Sequence, residues 1–365
     1  MKDIHFHIME PYALVSAERF VLPAVENASC LVESLDRLGL KQANIPAISL
    51  YEPEDFPCNL LALHAKQLAP GRVYALAGLR YGLTREENEN LKEQAYRLIE
   101  AGFDGFKMIC KPNARRKLRF QMDDPMFDPF FEAAEKEQWP ILYHVGDPAT
   151  FWDPDRVPPG IKNGLWYYGN EPDLPSYEQL YTEVEGFMSR HPRLRVTFAH
   201  FFFLSWNLDR LDTLLTRYPN MRVDVTPGVE MYEDFSAHPE AVRAFFRKHM
   251  GRILLGTDNV AENGEHRAAA EASADLKIAR LRRFYETDED FAWNQMQLKG
   301  IKLDRDVLQA LFEGGFDAFL GGRLPREVNR DAAKKLCQEL RGTAAASQHR
   351  QAYEKLYNEL EAVFS

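Results

Sequence analysis

The chain has 365 residues, 45% of them hydrophobic and 27% charged, and a formal net charge of −10. That length and balance suit a globular protein with a substantial core, on the scale of one α/β barrel. The acidic balance argues against a nucleic-acid binder, which would carry a basic stripe.

The first five-residue apolar run is Ile4-His5-Phe6-His7-Ile8. Read as a strand, alternation puts His5 and His7 on one face and Ile4, Phe6 and Ile8 on the other. Two imidazoles on one face can share a borderline cation such as Zn²⁺. Downstream, short β-forming runs alternate with segments of helical periodicity. The expected order is helix 26–38, strand 43–50, helix 57–68, strand 73–79, helix 86–101 closed by Gly102, and strand 104–109. Helix 128–138, strand 140–145, helix 176–190 and strands 194–199 and 221–226 follow, then helix 239–249 and strand 252–256. Eight strands with a helical segment in each gap predict an α/β protein with a (β/α)8 TIM barrel. A doubly wound open sheet would need a glycine-rich turn after strand one, and His7-Ile8-Met9-Glu10-Pro11 is not one.

Two departures from a minimal barrel stand out. The segment 147–175 is long, proline-rich and aromatic, with Phe151, Trp152, Trp166, Tyr167 and Tyr168. It reads equally as a lid, a substrate wall or a subunit contact in a homo-oligomer. After strand eight, residues 260–365 look mostly helical, including 307–320 and 348–364. They are expected to pack on the barrel, around it or across its bottom, within one domain spanning 1–365. Cys30, Cys58, Cys110 and Cys337 show no CxxC spacing and read as reduced thiols. No apolar signal core opens the chain and no run approaches a membrane span, so a cytoplasmic protein without membrane partners is expected. The basic run Arg115-Arg116-Lys117-Leu118-Arg119 reads as a solvated loop or helix start.

Barrels of this kind carry their chemistry where strands end and βα loops begin. Strand one ends in His5-Phe6-His7, strand four in Phe106-Lys107-Met108 and strand five in Tyr143-His144-Val145. Strand six ends in Ala199-His200-Phe201 and strand eight in Gly256-Thr257-Asp258-Asn259. Five polar positions agreeing in this way are far more specific than any one of them. Arg80, just past strand three, reads as a clamp on a substrate carboxylate or as a surface ion pair. Glu10 and Glu230 carry the same ambiguity in loops one and seven. His64, His191, His238, His249 and His266 read as structural.

The order of HxH, strand-five His, strand-six His and strand-eight Asp within Gly-Thr-Asp resembles the amidohydrolase superfamily, in particular its amidohydrolase-2 branch of hydrolases, decarboxylases and hydratases. The resemblance covers about residues 1–260, and 312–328 resemble the family's closing segment less specifically. It implies that His5, His7, His144 and Asp258 bind one divalent metal, most simply Zn²⁺ with Mn²⁺ as the alternative, leaving a position for water. It further implies that His200 is an acid, base or transition-state stabiliser and that Asp258 can accept the water's proton. Lys107 stands open between a carboxylated bridge of two metals, a cation touching an anionic substrate or oxyanion, and a structural ion pair. The expected function is a metal-dependent hydrolase of a small-molecule amide, lactone or ester. A decarboxylase of an unsaturated or aromatic acid is the alternative, and a barrel that binds without turnover is a third reading.

Overall fold

The computed structural model describes residues 1–8, 24–48, 57–82, 85–88, 90–228, 230–345, 347 and 349–365. Glu10 and the end of the second predicted strand, 49–50, lie outside them. The first strand is split into β1 (Lys2–Asp3) and β2 (Phe6–Ile8). There follow β3 (Gln42–Pro46), β4 (Val73–Gly78), β5 (Gly105–Cys110), β6 (Pro140–Val145), β7 (Arg195–Phe198), β8 (Met221–Asp224) and β9 (Ile253–Leu254). They form one parallel sheet in the order β1-β3-β4-β5-β6-β7-β8-β9. The edges meet: the amide of Ile4 donates to Leu255 O at 3.0 Å, and β10 (Asn259–Ala261) runs parallel to β2 with Val260 opposite His7. The fold is a (β/α)8 barrel with additional C-terminal helices, as expected.

Helices fill the gaps, among them Asn27–Arg37, Pro57–Leu68, Asp128–Glu137, Tyr177–Arg190, Leu208–Arg217 and Pro239–Lys248. The predicted helix 86–101 is broken into Arg85–Asn88 and Leu91–Ala101. Asn88 is the physical reason: its side chain exchanges hydrogen bonds with both backbone groups of Gly82 (3.0 and 3.1 Å), an alternative to continuing the helix. Gly102 ends the second piece with φ +111°, where a Cβ would meet Glu327 O at 2.6 Å.

The barrel interior is layered. Ile4, Tyr74, Leu76, Leu142 and Leu254 form an apolar cluster of their own with Phe316, Phe319 and Leu320. The last three come from the helix Gly315–Leu320, which therefore plugs the barrel bottom. The predicted single helix 307–320 is interrupted by a π-turn, Ala310–Gly314, whose Leu311 carbonyl accepts from Leu255 N at 3.1 Å. Ile4 departs from the expected alternation. It lies in the interior cluster, while Phe6 and Ile8 belong to the outer core between barrel and helices. The chain bends between β1 and β2, where His5 N donates to Asp3 Oδ1 at 3.0 Å, so strict alternation is broken there.

The segment 260–365 is mostly helical, as expected, with one addition. It contains the long helix Arg267–Glu286 and the helices Arg330–Ala344 and Arg350–Val363, but also an antiparallel hairpin of β11 (Asp290–Trp293) and β12 (Met296–Lys299). Asn294 opens its two-residue turn at φ +54°, a conformation asparagine tolerates well. Alternating burial along Asp290–Trp293 explains why helical periodicity did not expose it.

Candidate metal centre

At the C-terminal mouth of the barrel the side chains pointing inward turn polar. His5 and His7 lie with ring centroids 4.9 Å apart. Asp258 comes to them because its amide donates to His5 O at 2.8 Å, holding the loop after β9 against the split first strand. His7 Nε2 is 3.4 Å and His5 Nε2 3.9 Å from Asp258 Oδ1, and one ligand atom from each of the three residues fits within 4.8 Å of the others. Asp258 has φ +55°, a strained backbone for a non-glycine residue of the kind that clusters at functional sites. Its side chain is 38% exposed. Glycine precedes it by two residues for a steric reason. A Cβ at Gly256 would sit 2.0 Å from Thr226 Oγ1 and 3.0 Å from His5 Cβ.

The donor set fits a divalent cation. Burial, reinforced by the Lys107 ammonium, pushes His5 down to about 3, so its ring is neutral near pH 7. Its Nδ1 lies 3.0 Å from Asp224 Oδ2, so Nδ1–H donates there and the Nε2 lone pair faces Asp258. Burial works to raise Asp258, but the His7 hydrogen bond and the nearby histidines hold it well below the usual carboxylate range. Neutral imidazoles and an ionised carboxylate are what such a metal requires.

His144 and His200 stand beside this group. Their rings are 4.7 Å apart and His200 is 5.6 Å from His5. His144 Nε2 and His200 Nδ1 are buried without a hydrogen-bond partner among the described residues, and burial depresses both rings, His144 strongly. Buried orphan nitrogens are costly unless something in the working protein satisfies them. Lys107, buried on β5, reaches within 3.3 Å of His5 Nε2.

Asp224 was not visible as a functional candidate in the sequence, yet it organises the site. It is fully buried; Oδ2 accepts from His5, while Oδ1 accepts from the amides of His200 (2.8 Å) and Thr226 (3.1 Å). Burial would raise it, and the His5 bond and charge lower it overall. From His200 the chain makes a left-handed turn. His200, Phe201, Phe202 and Phe203 have φ of 55°, 55°, 56° and 52°.

A cavity of about 590 Å³ opens over His144 and His200. One wall comes from the aromatic segment 147–175, through Phe151 and Trp166; the other from beyond the barrel, through Lys277, Trp293 and Met296. The segment 147–175 is tied down by Trp152 Nε1 donating to Pro175 O (3.0 Å) and by the Tyr168 hydroxyl on Asp147 (2.6 Å). Of its three readings, substrate wall is the one this geometry favours.

Arg80 is placed elsewhere. Its Nη2 is 3.7 Å from Glu339 on Arg330–Ala344, Gln94 brackets its backbone, and it does not line the cavity. Glu230 is pushed up to about 7 by burial and by Asp234, Asp147 and Glu233, and its Oε2 is buried without a hydrogen bond among the described residues. Of the remaining histidines, His191 pairs with Asp128 (2.9 Å) and His249 with Asp212 (2.7 Å). Two arginines of the basic run pair with acids: Arg115 bonds Glu183 (2.8 Å) and Arg116 bonds Glu171. All four cysteines are buried and unpaired with one another.

The Amidohydro_2 family model, described as amidohydrolase, matches residues 3–314, and so spans every barrel strand apart from Lys2 at its start. This chain belongs to the amidohydrolase family. Its fold is shared with solved structures at low identity. The 4-oxalomesaconate hydratase LigJ of Rhodopseudomonas palustris aligns at 15% identity with TM-score 0.52, covering 93% of this chain and 99% of that one. The Metarhizium anisopliae IDCase aligns at 13% and 0.50, covering 88% and 96%. A TIM-barrel protein of Bordetella bronchiseptica aligns at 12% and 0.50, covering 88% and 100%. A search of curated proteins finds no match. No described helix of this amidohydrolase-family chain is long and apolar enough to cross a membrane.

Proposed function

We propose that this amidohydrolase-family enzyme hydrolyses an amide, lactone or ester of a small molecule with the help of one divalent metal. The observation that carries the reading is the gathering of His5, His7 and Asp258 at the barrel mouth, with two orphaned histidine nitrogens beside them under one cavity. When bound, a divalent cation supplies polarisation of a carbonyl and a water acidified towards neutral pH. His5, His7 and Asp258 would hold it, with His144 as the fourth protein ligand, and Zn²⁺ suits such imidazole–carboxylate donors better than Mn²⁺.

The chain's own groups divide the remaining work. Asp224 keeps the proton of His5 on Nδ1 and aims the Nε2 lone pair. Neutral His200, pinned through its amide to Asp224, holds or moves a proton on its imidazole. Its Nδ1 has no hydrogen-bond partner among the described residues. Asp258, ionised, accepts a proton and returns it to the leaving group. Lys107 places an ammonium where it stabilises an anionic substrate or oxyanion.

Decarboxylation is the second reading, favoured by the largely apolar cavity walls. A desolvated carboxylate gains less stabilisation there than the dispersed charge formed as carbon dioxide leaves. The test begins with elemental analysis of protein purified without chelators. One metal per chain supports the mononuclear site, and two support a carboxylated Lys107. Acid release from lactones and amides, measured beside carbon dioxide release from unsaturated acids, then separates the two reactions. No metal and no turnover of either kind would sink both.

A further inference from the structure

The cavity wall contributed from outside the barrel holds a cation that none of the roles above uses. Lys277 projects from Arg267–Glu286 into the cavity, and its Nζ donates to the backbone carbonyl of Asp258 at 2.8 Å. An ammonium carries three donors. Among the described residues Lys277 makes no other hydrogen bond and no close ion pair. The carboxylates that influence it, Asp258 and Asp3, are committed elsewhere. Asp3 accepts from His5 N, Thr257 N and Thr257 Oγ1, and Asp258 faces His7.

Further cations stand near the cavity, beside the carboxylates of Asp258 and Asp224, in a chain whose net charge is −10. Lys107 and Lys111 both act on His144 and His200. The carboxyl that lines the cavity among the described residues, Asp147, is held by the Tyr168 hydroxyl and raised by burial. A bound divalent cation would offset the Asp258 and Asp224 carboxylates and turn the balance towards the lysines. A low-dielectric cleft with that sign concentrates anions.

We propose that Lys277 is a specificity-determining residue: its ammonium receives a carboxylate on the substrate, set apart from the group that reacts. The proposal rests on the cavity being the substrate site, as in the function proposed above. It makes the substrate class an organic acid whose apolar, planar part lies between Trp166 and Phe151 on one side and Trp293 on the other. That carboxylate is read by the segment after the last strand, not by the barrel itself.

The test uses the full chain loaded with zinc and a pair of probes, 3-carbamoylbenzoate and isophthalamide, which differ in the one carboxylate turned into a neutral amide of similar shape. Titration calorimetry is expected to show the wild type preferring 3-carbamoylbenzoate by about tenfold or more, the scale of one charge-assisted hydrogen bond. Lys277→Met is expected to weaken 3-carbamoylbenzoate by about tenfold and isophthalamide by less than about threefold, with Lys277→Arg restoring most of the preference. Metal content per chain should be unchanged in both variants. The proposal is overturned if the wild type shows no preference, if Lys277→Met keeps it, or if Lys277→Met loses its metal, since the lysine would then act by holding the Asp258 loop. These outcomes need no turnover, so they are separable from failure of the proposed reaction, which shows as absent metal and absent turnover in the wild type.

Discussion

Replacing Asp224 by asparagine probes the organisation of the proposed metal centre with almost no change of shape. The carboxylate accepts three hydrogen bonds inside the barrel, one from His5 Nδ1 and two from backbone amides. Asparagine has one acceptor oxygen, and the two amides of His200 and Thr226 share Oδ1. The new NH2 group then occupies the Oδ2 position, 3.0 Å from His5 Nδ1. Two donors now face each other unless His5 moves its proton to Nε2, which blocks the nitrogen that faces Asp258. Either way a charged hydrogen bond worth about 1.5–3 kcal/mol is lost from a buried site. At about 1.4 kcal/mol per decade, that is roughly tenfold to 150-fold in metal affinity, overlapping the 10–100-fold typical when a ligating histidine loses its outer partner. Competition against a chromophoric chelator measures it directly, and circular dichroism confirms that the variant is folded. An Asp224→Asn affinity within twofold of wild type would refute the assignment of His5 as a ligand oriented by Asp224.

His200→Asn is expected to lower turnover of an identified substrate by about 10²–10⁴-fold while metal content stays at the wild-type level; unchanged activity would remove His200 from proton transfer. Phe202→Ala should destabilise the protein by about 3–5 kcal/mol in urea unfolding, since Phe202 is 1% exposed and stacks on Phe198 at 4.2 Å. Phe202→Gly should lose about 1–2 kcal/mol less than that, because glycine carries no left-handed penalty at φ 56°; equal losses would show that the turn is unstrained. For the metal-free protein, His5 has a folded pKa near 3 against 6.5 unfolded. Its contribution is therefore fully present above pH 6.5 and is lost as pH falls towards 3, because the unfolded state binds the proton first. Between pH 6.5 and 5 this removes about 2 kcal/mol, and His5→Gln should flatten the slope by that amount; an identical slope in the variant would rule His5 out as its source.

The barrel was legible because each strand kept its apolar run and each gap its helical rhythm, and the family-matched histidines fell where strands end. Spacing puts His5 and His7 on one face, the family resemblance adds Asp258, and the barrel topology brings those strand ends together. Asp224 was not legible: an aspartate closing Met221-Arg222-Val223 looks like an ordinary strand terminus, and its value comes from being the inward neighbour of both His5 and His200. Of the two readings of Arg80, clamp and ion pair, the structure fits the ion pair. Its position after strand three is right for a substrate clamp, but position does not fix where a long side chain goes, and Glu339 from a distant helix takes it. Nor could three successive phenylalanines signal a left-handed turn. Local preference opposes that conformation by about 1–2 kcal/mol per residue. Burial of Phe201 against Phe235 and of Phe202 against Phe198 and Tyr181 supplies an opposing term of similar size.

The segment after the last strand works at both ends of the barrel, and this links stability to specificity in one stretch of chain. Phe316, Phe319 and Leu320 close the bottom against Ile4 and Leu254, with Gly315 so near the strand that a Cβ would lie 2.8 Å from Ile253 O. The helix Arg267–Glu286 and the hairpin, preceding that plug, bring Lys277, Trp293 and Met296 to the mouth. The two ends meet through the last strand: Leu255 N bonds the π-turn carbonyl of Leu311, and three residues later Asp258 O receives Lys277. Substitutions in the plug should therefore act on folding through Ile253–Leu255. Substitutions in the hairpin, which touches no barrel-bottom residue of that cluster, should alter which ligand is held while leaving the barrel intact.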